Sequence, residues 1–153
     1  MSNTAFSQTL LHDIIARHGA SEGPLLPVLH DIMAQFQHIP DDAVAPLAEA
    51  LGLTRAEVHG VVSFYHDFKT RPNGHHVIQL CRAEACQSVG AAGTQTDLLD
   101  RLGLKGFGTT RDGSVTVEAV YCLGLCACGP AALVDGRPRG RVCAQSLMTE
   151  IGA

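Results

Sequence analysis

Apolar positions recur with a helical period through the first half of the chain. Phe6, Leu10, Leu11, Ile14 and Ile15 fall on one helical face, and Gly19 supplies a stop. A second helix starts near Pro24 or Pro27, turns Leu29, Ile32, Met33 and Phe36 inward, and ends at Pro40-Asp41-Asp42, which opens a third helix running to Leu51-Gly52. Thr54-Arg55-Ala56-Glu57 has the form of a capping box, in which hydroxyl and carboxylate satisfy free backbone N–H groups reciprocally. It begins a fourth helix that reaches Phe64 or Phe68. Short helices with apolar faces predict a small bundle, and Phe64, Tyr65 and Phe68 read as a face packed in its core or against another subunit.

The period changes after Thr70-Arg71-Pro72-Asn73-Gly74, whose adjacent turn formers mark a boundary between residues 1–74 and 75–153. Val77-Ile78-Gln79-Leu80 is a short apolar run consistent with a strand, Thr96 to Leu102 reads as a helix, and Val115 to Tyr121 is β-branched and alternating. Ala131 to Val134 and Arg139 to Val142 flank Asp135-Gly136 as a hairpin, and Ala144 to Ile151 closes the chain as a helix. The order predicts a small domain with a four-stranded sheet, so that the whole chain is α+β. Gly103, Gly106 and Gly108 read as loop residues.

Composition narrows what such a chain does. It has 153 residues, 46% of them hydrophobic and 17% charged, which is ordinary for a globular protein. The net charge of -4, the absence of Trp and the presence of two Tyr argue against nucleic acid as a partner. The longest uncharged stretch, Ala119 to Val134, is interrupted by Gly124, Gly129 and Pro130 and falls short of the ~20 apolar residues of a membrane span. The N-terminal stretch lacks a basic region, and His12 and Asp13 interrupt its apolar run, so a cytoplasmic location is expected. Cysteines in a reducing compartment are metal ligands, redox groups or buried thiols before they are disulfides.

The six Cys lie between Cys81 and Cys143, and the eight His between His12 and His76. Cys81-x4-Cys86 and Cys122-x3-Cys126 are two close pairs separated by 35 residues, each just after an expected strand. Two loops at the same end of a sheet bring four thiolates together. A 2Fe-2S cluster asks for that division, because each iron shares two bridging sulfides and takes two further ligands. Small residues in and beside both loops, with Gly90, Gly124, Ala127 and Gly129 among them, let backbone N–H groups approach the sulfurs. Val89, Leu123 and Leu125 are placed to limit water.

Other chemistries fit less well. One structural zinc is the alternative, although zinc ribbons favour C-x2-C knuckles. It would make the chain a non-redox interaction module. A thioredoxin-type dithiol needs C-x-x-C, and a Rieske centre needs two His where no His follows residue 76. Cys128 and Cys143 read as buried small hydrophobes, with Cys128 a lesser candidate to replace Cys126. The His read as solvated or core-satisfied, with His75-His76 the nearest candidate for an outer contact to the first cysteine loop. No G-x-G-x-x-G, phosphate-binding loop or G-x-S-x-G elbow is present, so no nucleotide site and no catalytic residues are expected on this chain.

The cysteine pairs, with Cys122-Leu-Gly-Leu-Cys126 preceded far upstream by Val58-His-Gly-Val-Val-Ser-Phe-Tyr-His-Asp-Phe68, resemble the thioredoxin-like 2Fe-2S subunit family. Its members include the small flavoprotein-partner subunit of complex I and counterparts in NAD-reducing hydrogenases and NAD-dependent formate dehydrogenases. Within it, Cys81-Arg-Ala-Glu-Ala-Cys-Gln-Ser-Val-Gly90 looks most like the gamma subunit of the soluble, molybdenum-containing formate dehydrogenase. The resemblance implies a helical bundle for partner docking followed by a thioredoxin-like domain without its redox dithiol. It implies one 2Fe-2S cluster, with Cys81 and Cys86 on one iron and Cys122 and Cys126 on the other. It also implies a beta-type partner carrying FMN, the NAD site and a 4Fe-4S cluster, and an alpha-type partner carrying the molybdenum cofactor. The expected role is one-electron transfer at low potential, near the roughly -400 mV of plant-type ferredoxins.

Overall fold

A computed structural model describes residues 7–19 and 21–152. The chain divides into two compact units, Met1–Pro72 and Asn73–Ala153.

The first unit is helical: α1 (Gln8–His18), α2 (Leu25–Phe36), α3 (Asp41–Leu51) and α4 (Arg55–Phe64). Leu11, Ile14, Leu29, Ile32, Phe36, Leu47 and Val58 are fully buried in one core, the positions that the helical period turns to one side; Phe6 lies outside the described residues. Met33 is half-buried at the edge of that core. The capping box forms, with Glu57 N–H donating to Thr54 Oγ1 at 3.2 Å and Thr54 N–H donating to Glu57 Oε2 at 2.7 Å. Gly52 adopts φ 65° and closes α3, its N–H reaching the carbonyls of Ala48 and Glu49, as a residue without Cβ does most easily. The chain leaves the helix at Tyr65. Only Phe68 of the aromatic trio enters the core: it is buried, whereas Phe64 is 73% and Tyr65 41% exposed. Core packing is thus corrected to Phe68 alone, and a subunit contact is the branch of the expectation left for Phe64 and Tyr65. The three rings run outward edge to face, at 5.6 Å from Phe68 to Tyr65 and 5.1 Å from Tyr65 to Phe64.

The second unit carries β1 (His76–Cys81), α5 (Glu84–Ser88), α6 (Ala91–Arg101), β2 (Gly108–Thr109), β3 (Val115–Val120), β4 (Ala131–Val134), β5 (Arg137–Gly140) and α7 (Ala144–Glu150). The sheet has five strands in the order β2-β3-β1-β4-β5, one more than expected. The addition, β2, is two residues long and pairs Gly108 with Val117 and Thr109 with Thr116; it is too short and too rich in glycine to leave a period in the sequence. β1 and β3 are parallel, and the remaining pairs are antiparallel. Ile78, Leu98, Val117, Ala132 and Leu147 are buried in its core.

Two boundaries differ from expectation by more than a residue, and one short helix is additional. The helix expected from Thr96 begins at Ala91, because Ala91, Ala92 and Gly93 extend it without adding an apolar stripe. The short α5 had no signal in the alternation. The return arm of the hairpin is Arg137–Gly140, not Arg139 to Val142. Asp135 and Gly136 both take positive φ, 50° and 77°, the mark of a two-residue type I′ turn, which sets Arg137 directly opposite Val134. Pro138 is accommodated because β5 is an edge strand.

The turn between β2 and β3 is tied by Asp112, which accepts from the Thr110 and Ser114 hydroxyls at 2.6 and 2.8 Å and from Ser114 N–H at 3.1 Å. The Thr110 hydroxyl, then the Ser114 backbone and hydroxyl, lower the Asp112 carboxyl to about 2. A depressed carboxyl stabilises above its unfolded value and loses that contribution as pH falls through the folded one. The turn is therefore expected to keep its full support above pH ~4 and to shed it toward pH ~2. Carboxyl-carbon NMR of wild type and Asp112→Asn checks this: a midpoint for Asp112 in the ordinary Asp range would contradict it.

Candidate metal centre

The parallel pairing of β1 and β3 positions the site. Cys81 stands opposite Val120, so both strands end at the same edge of the sheet and each continues into a cysteine loop. Cys81 ends β1, and Cys86 lies in α5, its N–H bonded to Ala83 O at 3.0 Å. From β3 the chain passes Tyr121 to Cys122, which adopts φ 72°, and then Gly124 at φ 74°. Such a conformation is costly for a residue with a Cβ and is concentrated at functional sites. Cys126 opens a short 3-10 turn ending at Cys128.

The two pairs differ in exposure. Cys81 and Cys86 are buried, at 3% and 2%, and Cys122 and Cys126 are exposed. Electrostatics join them. Burial works to raise the Cys81 thiol, but the N–H of Ala83, the Cys86 thiol and the N–H groups of Cys122 and Leu123 outweigh it and hold Cys81 below the ordinary thiol value. Two of those donors come from the other loop. Burial foremost, then donation to Cys81 and the nearby Cys81 and Cys126, push Cys86 up, against a backbone donor from Ala131. Cys126 is raised chiefly by donating to Cys122 and by the charges of Cys122 and Cys81. The four expected residues thus share one electrostatic neighbourhood at the sheet edge.

Cys81, Cys86, Ala91 and Ala131 form a small buried cluster, against which Ala83, Val120, Leu123 and Leu125 pack. Leu123 and Leu125 therefore shield the inner thiols, whereas Val89 is 53% exposed. A Cβ on Gly129 would meet Val89 Cγ2 at 2.8 Å and Cys86 Sγ at 3.6 Å, so the absence of a side chain lets the second loop close over the first. The Gly129–Pro130 peptide is cis.

The other candidates lie elsewhere. His76 Nδ1 is bonded to Asp135 Oδ2 at 2.8 Å at the start of β1, roughly 17 Å along the strand from Cys81, which corrects its expected closeness to the first loop. Cys128 is turned toward β5: a Cβ on Gly140 would lie 2.7 Å from Cys128 Cβ. It is half-buried, and Cys143 is exposed at the start of α7; neither is the fully buried small hydrophobe expected. Arg82 and the donors of Ala83, Cys122, Leu123 and Ala131 carry no signal in the sequence, since their orientation follows from backbone dihedrals and not from residue type.

All six Cys are free thiols. Among the described residues no group of three or more His, Cys, Asp or Glu side chains is arranged to hold a single metal ion. The Cys81 and Cys86 thiols are hydrogen-bonded to each other, as are those of Cys122 and Cys126, with backbone N–H groups turned to Cys81 and Cys86; a bridged di-iron core takes its ligands in such pairs. One further observation fits an anionic group at this edge. Arg82 Nε, on the residue after Cys81, is among the described residues the one buried side-chain nitrogen or oxygen without a hydrogen-bond partner. The donor set therefore suits a 2Fe-2S cluster.

The chain is similar to known proteins and to solved structures. A component of the NADH-quinone oxidoreductase of Salmonella typhimurium is 34% identical over 110 residues, covering 72% of this chain and 66% of its own. The component of the same name from Mycobacterium tuberculosis is 32% identical over 123 residues, covering 80% of this chain and 49% of its own. The chain thus spans between half and two thirds of the length of these relatives. In the crystal structure of an NAD+-reducing [NiFe]-hydrogenase in the air-oxidized state, one chain matches with a TM-score of 0.69 and 29% identity, over 84% of this chain and 22% of that one. No described helix is long and apolar enough to cross a membrane. The sequence model described as Thioredoxin-like [2Fe-2S] ferredoxin matches residues 11–152, and the chain belongs to that family.

Proposed function

We propose that Cys81, Cys86, Cys122 and Cys126 hold one 2Fe-2S cluster, the first two on one iron and the last two on the other, and that the chain relays single electrons within an NAD-linked oxidoreductase. The observation that carries this reading is the meeting of both cysteine loops at one sheet edge, with one pair buried and the other exposed. Bound there, the cluster supplies a one-electron couple. Cys81 and Cys86 anchor its inner side, Leu123 and Leu125 exclude water from them, and the N–H groups of Ala83, Cys122, Leu123 and Ala131 stabilise negative charge on sulfur. No catalytic residue is assigned on this chain.

The immediate partner in this reading is a beta-type subunit that binds FMN and NAD and carries a 4Fe-4S cluster. The exposed Phe64 and Tyr65 support a docking role for residues 1–74. Among NAD-linked complexes we favour the soluble, cytoplasmic formate dehydrogenase, with the molybdenum cofactor on an alpha-type subunit, on the strength of the Cys81-Arg-Ala-Glu-Ala-Cys86 phrase. The relatives fit the corresponding place in complex I or an NAD-reducing hydrogenase equally well.

Anaerobic purification from the native host tests both levels. About two irons and two sulfides per chain, with a paramagnetic signal after dithionite, are expected. One zinc and a silent spectrum would replace electron transfer by the scaffolding role. A co-purifying molybdenum subunit supports the formate assignment, and hydrogenase or membrane-arm subunits would overturn it.

A further inference from the structure

Arg82 has no place in the ligand set, yet it is held with care. Its N–H donates to Val120 O at 2.8 Å, which ties the root of the side chain to the strand leading into Cys122. Its guanidinium carbon stands 5.7 Å from the centroid of the Phe107 ring, within cation–π range. Its Nε is buried with no acceptor among the described residues, a state that costs free energy unless an opposite charge offsets it. Arg82 follows Cys81 directly, so their Cα atoms are about 3.8 Å apart. The other charge in this loop, Glu84, is exposed and is screened by solvent to a degree that a half-buried cation is not.

We infer that Arg82, seated on Phe107, is an electrostatic tuning residue that favours the reduced form of the cluster and so raises its potential. The inference rests on the cluster reading above. Four thiolates and two sulfides against two ferric irons leave a double negative charge. Uptake of one electron, from dithionite in vitro, takes one iron from ferric to ferrous and adds one more. A cation carried by the short loop between the two ligands of the first pair stabilises that added charge. The effect is on the cluster as a whole: the Cys81 thiol itself is governed by burial and by backbone and thiol donors, not by a hydrogen bond from the guanidinium. Phe107 acts as a positioning residue through Arg82.

Redox titration followed by paramagnetic resonance, with iron and sulfide assayed on the same samples, tests this on wild type, Arg82→Gln, Arg82→Lys and Phe107→Leu. Arg82→Gln is expected to keep its iron and to be reduced about tenfold less favourably, a fall of about 59 mV for one electron. Arg82→Lys, which keeps the charge, is expected to retain most of the wild-type potential. Phe107→Leu releases the cation from its seat and is expected to fall between wild type and Arg82→Gln, with a steeper dependence on ionic strength. A fully loaded Arg82→Gln at the wild-type potential overturns the inference while leaving the cluster reading intact. Should Arg82→Gln fail to load, Phe107→Leu decides: an unchanged potential at low salt overturns the inference. Wild type without iron ends both.

Discussion

Cys86→Ser is expected to lose the cluster, with iron falling from about two per chain to less than a tenth of that, and with it the reducible signal. Cys81→Ser should do the same. Both residues are buried, so no solvent ligand has ready access to replace the thiolate. The apo fold is expected to survive in Cys86→Ser, because the Ala131 N–H that donates to sulfur can donate to the new hydroxyl. The variant therefore separates ligand loss from misfolding: far-UV circular dichroism reads the fold, and iron and sulfide read the site. Cys128→Ala is the control and should keep full iron, since its side chain is turned toward Gly140. Iron retained in Cys86→Ser, or lost in Cys128→Ala with the fold intact, would contradict the assignment.

Phe36→Ala is expected to remove about 3–5 kcal/mol from the helical unit. Phe36 is the last residue of α2 and fully buried among Leu11, Ile32 and Leu47, and a cavity the size of a phenyl ring cannot close where the chain turns at once through a left-handed Gln37 (φ 62°). A unit of this size carries only about 0.05–0.15 kcal/mol per residue, so the loss is a large share of what holds it together. Urea titration of wild type, Phe36→Ala and Phe36→Leu checks it. Phe36→Leu should cost less, because it leaves a smaller cavity; equal midpoints for all three would mean that the core does not depend on this ring.

How much of this was legible from residue order follows the physics of each feature. The capping box at Thr54 and Glu57 and the turn at Asp135-Gly136 are local, and local chemistry is written in neighbouring residues. The strands ending at the two cysteine loops are legible because their apolar runs are long enough to show a period. β2 is not, since two residues cannot alternate, and its pairing is set from across the sheet by Val117 and Thr116. Phe64 and Tyr65 carry an ambiguous signal: hydrophobicity says that a ring prefers burial, not whether this chain or another supplies the cover. His76 near Cys81 in sequence is far from it in space, because an intervening strand separates its two ends. The donors to sulfur and the unpartnered Arg82 Nε were invisible, because they depend on where the backbone turns at Cys122 and on what surrounds one nitrogen.

The side-by-side run of β1 and β3 has a consequence for how this chain tolerates length changes. What brings the two cysteine pairs together is the Cys81–Val120 register, and the number of residues between Cys86 and β3 matters to the site only in so far as the chain returns to that register. Residues gained at the exposed Lys105–Gly106 turn alter a detour, whereas one residue added inside Cys81-x4-Cys86 or Cys122-x3-Cys126 displaces a sulfur. That turn is slack; the two short intervals are the gauge.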